Sequence, residues 1–441
     1  MVLTEGGMLR ALGSRNYRLF FTGQAVSLIG TWTQRIAEAW LLYRLTGSAA
    51  LLGLLGFAGQ IPVFLFASFG GALADRISKH RLLVATQAAS MLLAFTLAGL
   101  TLGGVITPTE IFALAVLLGT VNAIDTPVRQ SFLVELVDRR NLMNAIALNS
   151  SAFNSARMLG PAVAGILIAA LGEGWCFLLN GLSFLAVLAS LLAIRGLLPP
   201  PERPRKSPFA DMAEGLRFVR NADAIRTLLV LLGAMSFIGV PFRVVMPLFA
   251  DRVFHGNAQT LGWLMGAAGA GALVAALTLA RREGLTGLDR WIAAGGVAFG
   301  ASLFGVGLSH SLPLSLALLV VTGFSMIVLM AGCNTLIQSL VPDHLRGRVM
   351  AMYAMMLMGM TPLGSLYTGT IAQHFGAPAA VAMNGIACVV VAAVFVHKLP
   401  RLRESARRLW LSVHGAAGGN GSVPDPLRPL SRGPIGPGTG G

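Results

Sequence analysis

Four charged residues stand inside long apolar stretches of this sequence: Arg35, Glu38, Arg157 and Arg243. Glu38 follows Arg35 by three residues, so both lie on the same face if the segment is a helix. Burial favours the protonated form of a carboxyl group, whereas a neighbouring arginine favours the ionised form. Glu38, together with Arg35, is therefore a candidate for proton coupling. A structural ion pair between the two residues is the alternative.

Polar residues in these stretches, one of them charged, are candidates for contact with a substrate. We predict that Gln34, Asn122, Arg243 and Asn334 line a cavity. The two arginines, Arg35 and Arg243, would suit an anionic or amphiphilic substrate. For each of the amide side chains, a hydrogen bond between neighbouring helices is the alternative.

Residue patterns typical of catalysis or metal binding do not stand out in the sequence. Its three cysteines lie in separate apolar stretches, and it has no Gly-rich phosphate-binding motif that ends in Lys-Ser or Lys-Thr. The sequence therefore predicts a protein that is not an enzyme and that holds no metal and no cofactor.

The composition indicates a membrane protein. Only 12% of the residues are charged, 55% are hydrophobic, and the mean hydropathy is +0.73. A soluble protein has about twice that charged fraction. The net charge of +15 does not indicate nucleic-acid binding, because the basic residues form short clusters between apolar stretches. A charge at the centre of a bilayer costs roughly 2.5–3.5 kcal/mol, so the four charged residues are expected to face away from lipid.

Apolar stretches of about 20 residues, the length that crosses a bilayer, recur along the whole chain. They predict an all-α membrane protein with twelve transmembrane helices in two pseudo-symmetric six-helix bundles. The predicted spans are 18–43, 48–74, 82–103, 109–128, 142–171, 175–194, 227–250, 259–280, 290–308, 313–338, 349–372 and 378–397.

The distribution of basic residues predicts the orientation. Most of the 33 Lys and Arg residues fall in segments on the side that also holds both chain termini, and only Arg44 and Arg252 fall in loops on the other side. Loops rich in Lys and Arg stay in the cytoplasm, so both termini are predicted to be cytoplasmic.

The two halves of the chain resemble each other. Leu28–Gly30 matches Phe237–Gly239, and Leu52-Gly53 matches Leu261-Gly262, with the same offset of 209 positions. A parallel repeat places a transport pathway between the halves. The predicted parts are an N-terminal half at 1–194, a cytoplasmic linker with an amphipathic helix at 195–226, a C-terminal half at 227–400, and a basic, then Gly/Pro-rich disordered tail at 401–441.

The loop after the second predicted span combines a small residue, an acid and several bases: Gly71, Asp75, Arg76, Lys79 and Arg81. It is similar to the signature loop of the major facilitator superfamily, with Ser78 where that family usually has glycine. The resemblance implies a cytoplasmic gate, in which the acid faces the start of the eleventh span and a base pairs with an acid that ends the fourth. By position these residues are Asp75, Lys79 and Asp125.

The fifth predicted span carries Arg157, Gly160, Pro161 and Gly165. Proline removes a backbone donor and glycine permits close packing, so this helix can bend. The pattern resembles the antiporter motif of exporters in the same superfamily. A role in packing alone is the alternative, and Arg157 could instead bind backbone carbonyls beside the proline.

Further matches, such as Gly30-Thr31-Trp32, extend the resemblance to about residue 400. They point to the branch that contains the enterobactin exporter and drug-efflux permeases. The resemblance implies a secondary active transporter that exports small amphiphilic molecules, drug-like or siderophore-like, by alternating access and at the expense of the proton gradient. It implies a monomer in the bacterial inner (cytoplasmic) membrane, whose partners are lipid and a small-molecule substrate. Uptake or lipid translocation by the same fold and a non-transport membrane sensor are the alternatives.

Overall fold

The computed structural model describes residues 10–74, 77–196, 208–282 and 284–414. Two residues of the predicted gate, Asp75 and Arg76, lie outside the described residues, as does the Gly/Pro-rich part of the predicted tail.

Six long helices, each reversing the direction of the one before it, form the N-terminal half. Their bounds are Arg15–Thr46 (α1), Ala49–Ala74 (α2), Lys79–Leu102 (α3), Pro108–Leu136 (α4), Leu142–Leu171 (α5) and Glu173–Ala193 (α6). Short 3-10 turns lie at Arg10–Gly13 and Arg139–Asn141.

The C-terminal half follows a short linker helix and repeats the pattern with one irregular span. Its helices are Pro208–Asn221 (α7, the linker), Asp223–Ile238 (α8), Met246–Leu248 (α9), Ala258–Ala280 (α10), Leu288–Leu308 (α11), Leu312–Leu340 (α12), Asp343–Phe375 (α13) and Ala377–His414 (α14). The segment from α8 to α9 contains a 3-10 stretch at Val240–Val245, and a π-helical turn follows at Phe249–Val253, so 223–253 forms a single broken span.

Within the described residues, eleven helical segments are long and apolar enough to cross a membrane. The twelfth long helix, α1, has 32 residues but is less apolar, because it carries several charged residues. Twelve spans in two groups of six therefore agree with the predicted fold.

Local sequence signals set the helix ends. The hydroxyl of Ser14 accepts a hydrogen bond from the backbone N–H of Tyr17 at the start of α1. Gly47 ends that helix with a φ of 61°, a left-handed conformation that glycine adopts without strain. At the start of α4, the carboxylate of Glu110 accepts a hydrogen bond from the backbone N–H of Thr107 at 2.8 Å.

The two halves pack alike, as the repeat predicts. Helix α1 packs on α6 and α8 packs on α14, and the corresponding pairs α2–α4 and α10–α12 also pack together. A Cβ atom added at Gly30 in α1 would lie 3.2 Å from the Cα of Asn180 in α6. A Cβ atom at Gly239, at the end of α8, would lie 3.0 Å from the Sγ of Cys388 in α14. Repeated glycines thus permit the same close packing in both halves.

Because consecutive long helices alternate in direction, the helix ends form two faces. We call the face that carries residues 10–18, 79–81, 129–141, 281–290 and 343–348 the basic face. The other end, with residues 44–48, 103–107, 252–257, 309–311 and 376, is the opposite face.

Helices α2 and α13, and likewise α5 and α10, join the two halves. Their close glycine contacts begin near the opposite face and, among the described residues, reach no further than Gly359 beside Phe64 and Gly269 beside Met158. Both points lie near the middle of their helices. The space between the halves therefore opens toward the basic face.

Two helix boundaries differ from the prediction. Helix α4 continues to Leu136 instead of ending near 128, and α14 continues to His414, although a tail was predicted from 401. Packing explains the second difference: Leu402 and Ala406 are buried, and Arg403 pairs with the carboxylate of Asp289 at 2.5 Å.

Candidate functional site between the two halves

A small cavity marks the point where the two halves meet. Its volume is about 10 Å³, enough for about one water molecule. The residues that line it come from both halves: Trp32, Arg157, Pro161, Arg243, Met265 and Gly269. The close glycine contacts between the halves end at about this level, at Gly269 beside Met158, so the space between the halves lies on the basic-face side of the cavity.

Glycines in α5 and α10 bring the cavity walls together. A Cβ atom at Gly160 would lie 2.4 Å from the Cβ of Trp32, and one at Gly165 would lie 3.2 Å from the Cα of Gly262. The predicted helix-five motif therefore permits close packing on α1 and α10. Pro161 lies inside α5, which continues through it.

Arg157 places a guanidinium group at the cavity, and part of that group has no hydrogen-bond partner among the described residues. Its Nε and Nη2 atoms are buried and have no hydrogen-bond partner among the described residues. Its predicted alternative, binding to backbone carbonyls beside Pro161, is therefore wrong for these two atoms. A buried donor without a partner typically costs 1–3 kcal/mol or more, so these two donors favour a hydrogen-bond acceptor in the cavity.

Arg243 enters the cavity from the irregular part of the seventh span. Pro241 and Pro247 lack the backbone N–H groups that a continuous α-helix would use, and Arg243 lies in the 3-10 stretch between them. Its guanidinium carbon lies 5.7 Å from the ring centre of Phe242, and its Nη2 lies 3.6 Å from the Sδ of Met326. In the part of the chain that the structure describes, no carboxylate pairs with it.

Arg35 is exposed although it lies about 16 Å along the helix axis from the end of α1. Solvent therefore reaches it within the molecule, through the space between the halves. Its guanidinium carbon lies 5.0 Å from the ring centre of Trp32, which in turn contacts Phe153 edge-on at 5.7 Å. The charges of Arg35 and Arg157 both act on Arg243, so three cations share this region.

Glu38 is buried, with 8% of its surface exposed. It forms neither a hydrogen bond nor an ion pair within 4.0 Å with any described residue, although the charge of Arg35 acts on it. The structure thus contains no direct Arg35–Glu38 ion pair, which was the alternative to proton coupling.

The three amide side chains that were predicted to line the cavity lie in different environments. Gln34 is buried between α1 and α6, where it accepts a hydrogen bond from Asn180 Nδ2 at 2.6 Å. Its prediction as a cavity residue is therefore wrong, because Gln34 lies about 100° around the helix from Arg35. Asn334 accepts a hydrogen bond from Gln338 in the same helix. Asn122 is half-buried and has no partner within the described ranges.

A second polar cluster lies deeper toward the basic face. Asp125 accepts hydrogen bonds at 2.8 Å from Thr86 Oγ1 and from Gln87 Nε2, and its carboxylate lies 3.4 Å from Arg129 Nη2. Arg129 also donates to Gln24 at 3.1 Å, and its charge acts on Arg35. Arg129 lies just outside the predicted span 109–128, and its spacing of four from Asp125 is the sequence signal for this helical pair.

Lys79 pairs with Glu135 and not, as predicted, with Asp125. The reason is the length of α4, which places Glu135 near the helix end and Asp125 almost three turns further inside. Of the other predicted gate residues, Gly71 lies near the end of α2, and Arg81 is exposed with no partner among the residues described.

Hydrogen bonds join the halves at the opposite face. Tyr43 Oη donates to Asp251 Oδ2 at 2.5 Å, and Arg252 Nη2 donates to the carbonyl oxygen of Gly47 at 2.9 Å. The side-chain oxygen of Gln373 accepts from the backbone N–H of Ala49 at 3.0 Å, and from two further donors beside it. We call Tyr43, Gly47, Ala49, Asp251, Arg252 and Gln373 the opposite-face latch. Nothing in the sequence pattern indicated it.

Comparison with known proteins identifies the family. The family described as transmembrane secretion effector matches residues 7–413. The staphyloferrin A transporter of Staphylococcus aureus is 27% identical over 381 residues, 86% of this chain and 95% of that protein. The multidrug efflux pump Tap of Mycolicibacterium fortuitum is 27% identical over 380 residues, 84% and 92% of the two chains. The enterobactin exporter EntS of Shigella boydii is 23% identical over 394 residues, 88% and 92%.

A solved structure shows the same fold. A bacterial homolog of the human lysosomal transporter Spinster, in an inward-facing and occupied conformation, matches with a TM-score of 0.67 at 15% identity, over 90% of this chain and 98% of that one. The predicted resemblance and the predicted fold are confirmed. The chain therefore belongs to the transmembrane secretion effector family of the major facilitator superfamily and is a multi-pass membrane transporter of small molecules, not an enzyme.

Proposed function

We propose that this chain is a proton-coupled exporter of small amphiphilic molecules, drug-like or siderophore-like, in the bacterial cytoplasmic membrane. The observation that carries the proposal is the space between the halves, which is lined by arginine and aromatic side chains, closed at the opposite face and open toward the basic face. The relatives add support, since they are named as a staphyloferrin A transporter, an enterobactin exporter and a multidrug efflux pump.

The basic face is the cytoplasmic face in this proposal, with both termini on that side, because loops rich in Lys and Arg stay in the cytoplasm. The substrate enters from the cytoplasm. Rocking of the two halves then breaks the opposite-face latch, opens that end and releases the substrate outside. One chain contains both halves and the whole pathway, so the monomer is the proposed functional unit, and the proton gradient is its energy source.

Glu38 is the proposed proton-coupling residue. Its carboxyl group is buried, has no fixed partner among the described residues and lies within the electrostatic range of Arg35. Such a group can bind or release a proton without first breaking a hydrogen bond. Each change in its protonation alters the net charge beside Arg35, and therefore the balance between substrate binding and release.

Inside-out membrane vesicles test this proposal, because export then appears as accumulation inside the vesicle. Two fluorescent probes, cationic ethidium and anionic carboxyfluorescein, are offered under an imposed pH gradient, with and without nigericin to collapse it. Wild-type protein is expected to accumulate a probe only while the gradient lasts. Glu38→Gln is expected to lose this accumulation by about tenfold or more, yet still to equilibrate the probe downhill.

Glu404→Gln is the matched control, because Glu404 is an exposed acid whose ion pair within the described residues is with Arg408, four positions further along the same helix. It is expected to behave as wild type. Uphill transport by Glu38→Gln with undiminished pH dependence would exclude Glu38 as the coupling residue. A deletion strain that matches its complemented parent across a panel of toxic compounds would count against export itself.

A further inference from the structure

The cavity between the halves holds an excess of positive charge that the fold itself does not neutralise. Arg157 comes from α5, in the first half, and Arg243 from the seventh span, in the second half. Two buried nitrogen atoms of Arg157 have no partner among the described residues. The guanidinium group of Arg243 has a sulfur atom and an aromatic ring as neighbours, and no described carboxylate pairs with it.

Nearby carboxylates do not balance these two arginines. Asp125 is held by Arg129 and by two neutral donors of α3. Glu38 lies within range of Arg35, but it forms no ion pair with Arg157 or Arg243, all of which the structure describes. Arg35 and Arg157, both in the first half, instead act as like charges on Arg243 in the second half, so this repulsion crosses the boundary between the two halves.

We propose that Arg157 and Arg243 form an anion subsite that binds a carboxylate of the transported molecule. Guanidinium groups present paired N–H donors that match the two oxygens of a carboxylate, and these charge-assisted hydrogen bonds are among the strongest in proteins. The cavity volume of about 10 Å³ accepts one oxygen atom. The rest of the carboxylate then lies on the solvent-accessible side, near Arg35.

The walls beside the subsite fit the remainder of such a molecule. Trp32 lines the cavity, and Phe153, with 42% of its surface exposed, packs against Trp32 edge-on. Aromatic faces bind planar or apolar groups, while Arg35 offers a further cation. The substrate class is therefore an amphiphile with one or more carboxylates beside an apolar or aromatic body. This inference rests on the proposed transport function, whose substrate it narrows.

The position of the subsite also links binding to the movement of the halves. A carboxylate that bridges Arg157 and Arg243 replaces repulsion across the boundary by attraction to a shared anion. Occupied protein is thus expected to hold its halves together at this level more firmly than empty protein does.

Binding of carboxyfluorescein to the purified full-length protein, measured by fluorescence anisotropy, tests the subsite directly. Arg157→Gln is expected to weaken binding about tenfold or more. Arg157→Lys keeps the charge but loses the paired donors, so its affinity for carboxyfluorescein is expected to lie between those of wild type and Arg157→Gln. Arg290→Gln, at an exposed arginine on the basic face that has no partner among the described residues, is the control with unchanged binding.

A competition measurement on the wild-type protein needs no variant. At constant ionic strength, citrate is expected to displace carboxyfluorescein, whereas neutral glycerol and cationic ethidium at the same concentration leave it bound. Equal binding by wild type and Arg157→Gln, or failure of citrate to compete, would overturn the anion subsite.

The subsite and the export proposal fail in different ways. Ethidium export by a protein that does not bind carboxyfluorescein would remove the subsite and leave export standing. Arginine-dependent binding of carboxyfluorescein without its transport in vesicles would leave the subsite standing and count against export.

Discussion

Replacing Gly53 by alanine is expected to open the opposite face, because the added methyl group has no space between the halves. A Cβ atom at position 53 would lie 2.5 Å from the carbonyl oxygen of Ser365 and 2.9 Å from the Cα of Gly369. Both are backbone atoms of α13, so no side-chain rotation relieves the clash. Helices α2 and α13 must separate by about 0.9 Å to restore ordinary contact.

The energy of this clash sets the size of the effect. Overpacking of a tight contact typically costs about 1–3 kcal/mol. The contact lies close to the opposite face and separates when that end opens, so the open conformation escapes the clash and the closed one does not. The ratio of open to closed protein is therefore expected to rise roughly 5- to 150-fold.

Distances between two spin labels, measured by double electron–electron resonance, report the ratio of open to closed protein. Thr109→Cys and Leu314→Cys place exposed labels in the first turns of α4 and α12, one in each half at the opposite face. The native cysteines do not compete for the label, because all three are buried: Cys176, Cys333 and Cys388. Gly53→Ala is expected to move the label population toward longer distances.

Gly99→Ala is the matched control. Gly99 also lies inside a helix, α3, but a Cβ atom there would meet nothing within 4 Å. The Gly99→Ala variant undergoes the same change in helix propensity without the clash. Its distances between the two spin labels are expected to match those of wild type. If Gly53→Ala and Gly99→Ala gave the same distance distribution, the glycine contact would not hold the halves together at that end.

Two further predictions concern the basic face. Lys79→Gln is expected to lower stability to unfolding in detergent by about 3 kcal/mol, because it leaves the carboxylate of Glu135, only 9% exposed, without its cation. Adding Glu135→Gln should recover part of the loss, and a failure to recover would contradict the ion pair. Arg403→Gln is expected to speed hydrogen exchange of residues 401–414, since Arg403 joins that extension of α14 to the buried carboxylate of Asp289. Unchanged exchange would mean that apolar packing alone holds the extension.

The fold and the charged centre of the pathway could be predicted because their signals are local. A transmembrane span is recognised from consecutive apolar residues. A charged residue inside a span, such as Arg157 or Arg243, is also recognised without knowledge of its neighbours, because a charge that faces lipid is costly. The structure places both of these arginines in one cavity at the boundary between the halves.

Side-chain partners could not be predicted in the same way, because they depend on helix rotation and on helix length. Gln34 and Arg35 are adjacent in sequence, yet Gln34 faces α6 whereas Arg35 is exposed in the space between the halves. Only the packing of α1 decides which of the two side chains faces that space. Similarly, Lys79 meets Glu135 because α4 continues beyond 128. The helix continues through Pro127, and Arg129 pairs with Asp125 one turn earlier.

The opposite-face latch has a consequence for the speed of the transport cycle. It consists of hydrogen bonds near the end of the molecule, and water can replace each partner as soon as a bond breaks. Each bond of this kind contributes about 1–3 kcal/mol, with the larger values where a charged group takes part, and the bonds can break one at a time. An apolar plug would instead have to expose its whole surface at once. The latch itself therefore adds only a low barrier, which thermal motion crosses step by step on the microsecond-to-millisecond scale of domain movements. The close glycine contacts between α2 and α13 hold the same end by packing. In the proposed export cycle, breaking the latch is therefore not expected to limit turnover, and the slower steps are expected at the arginine-lined cavity and at Glu38.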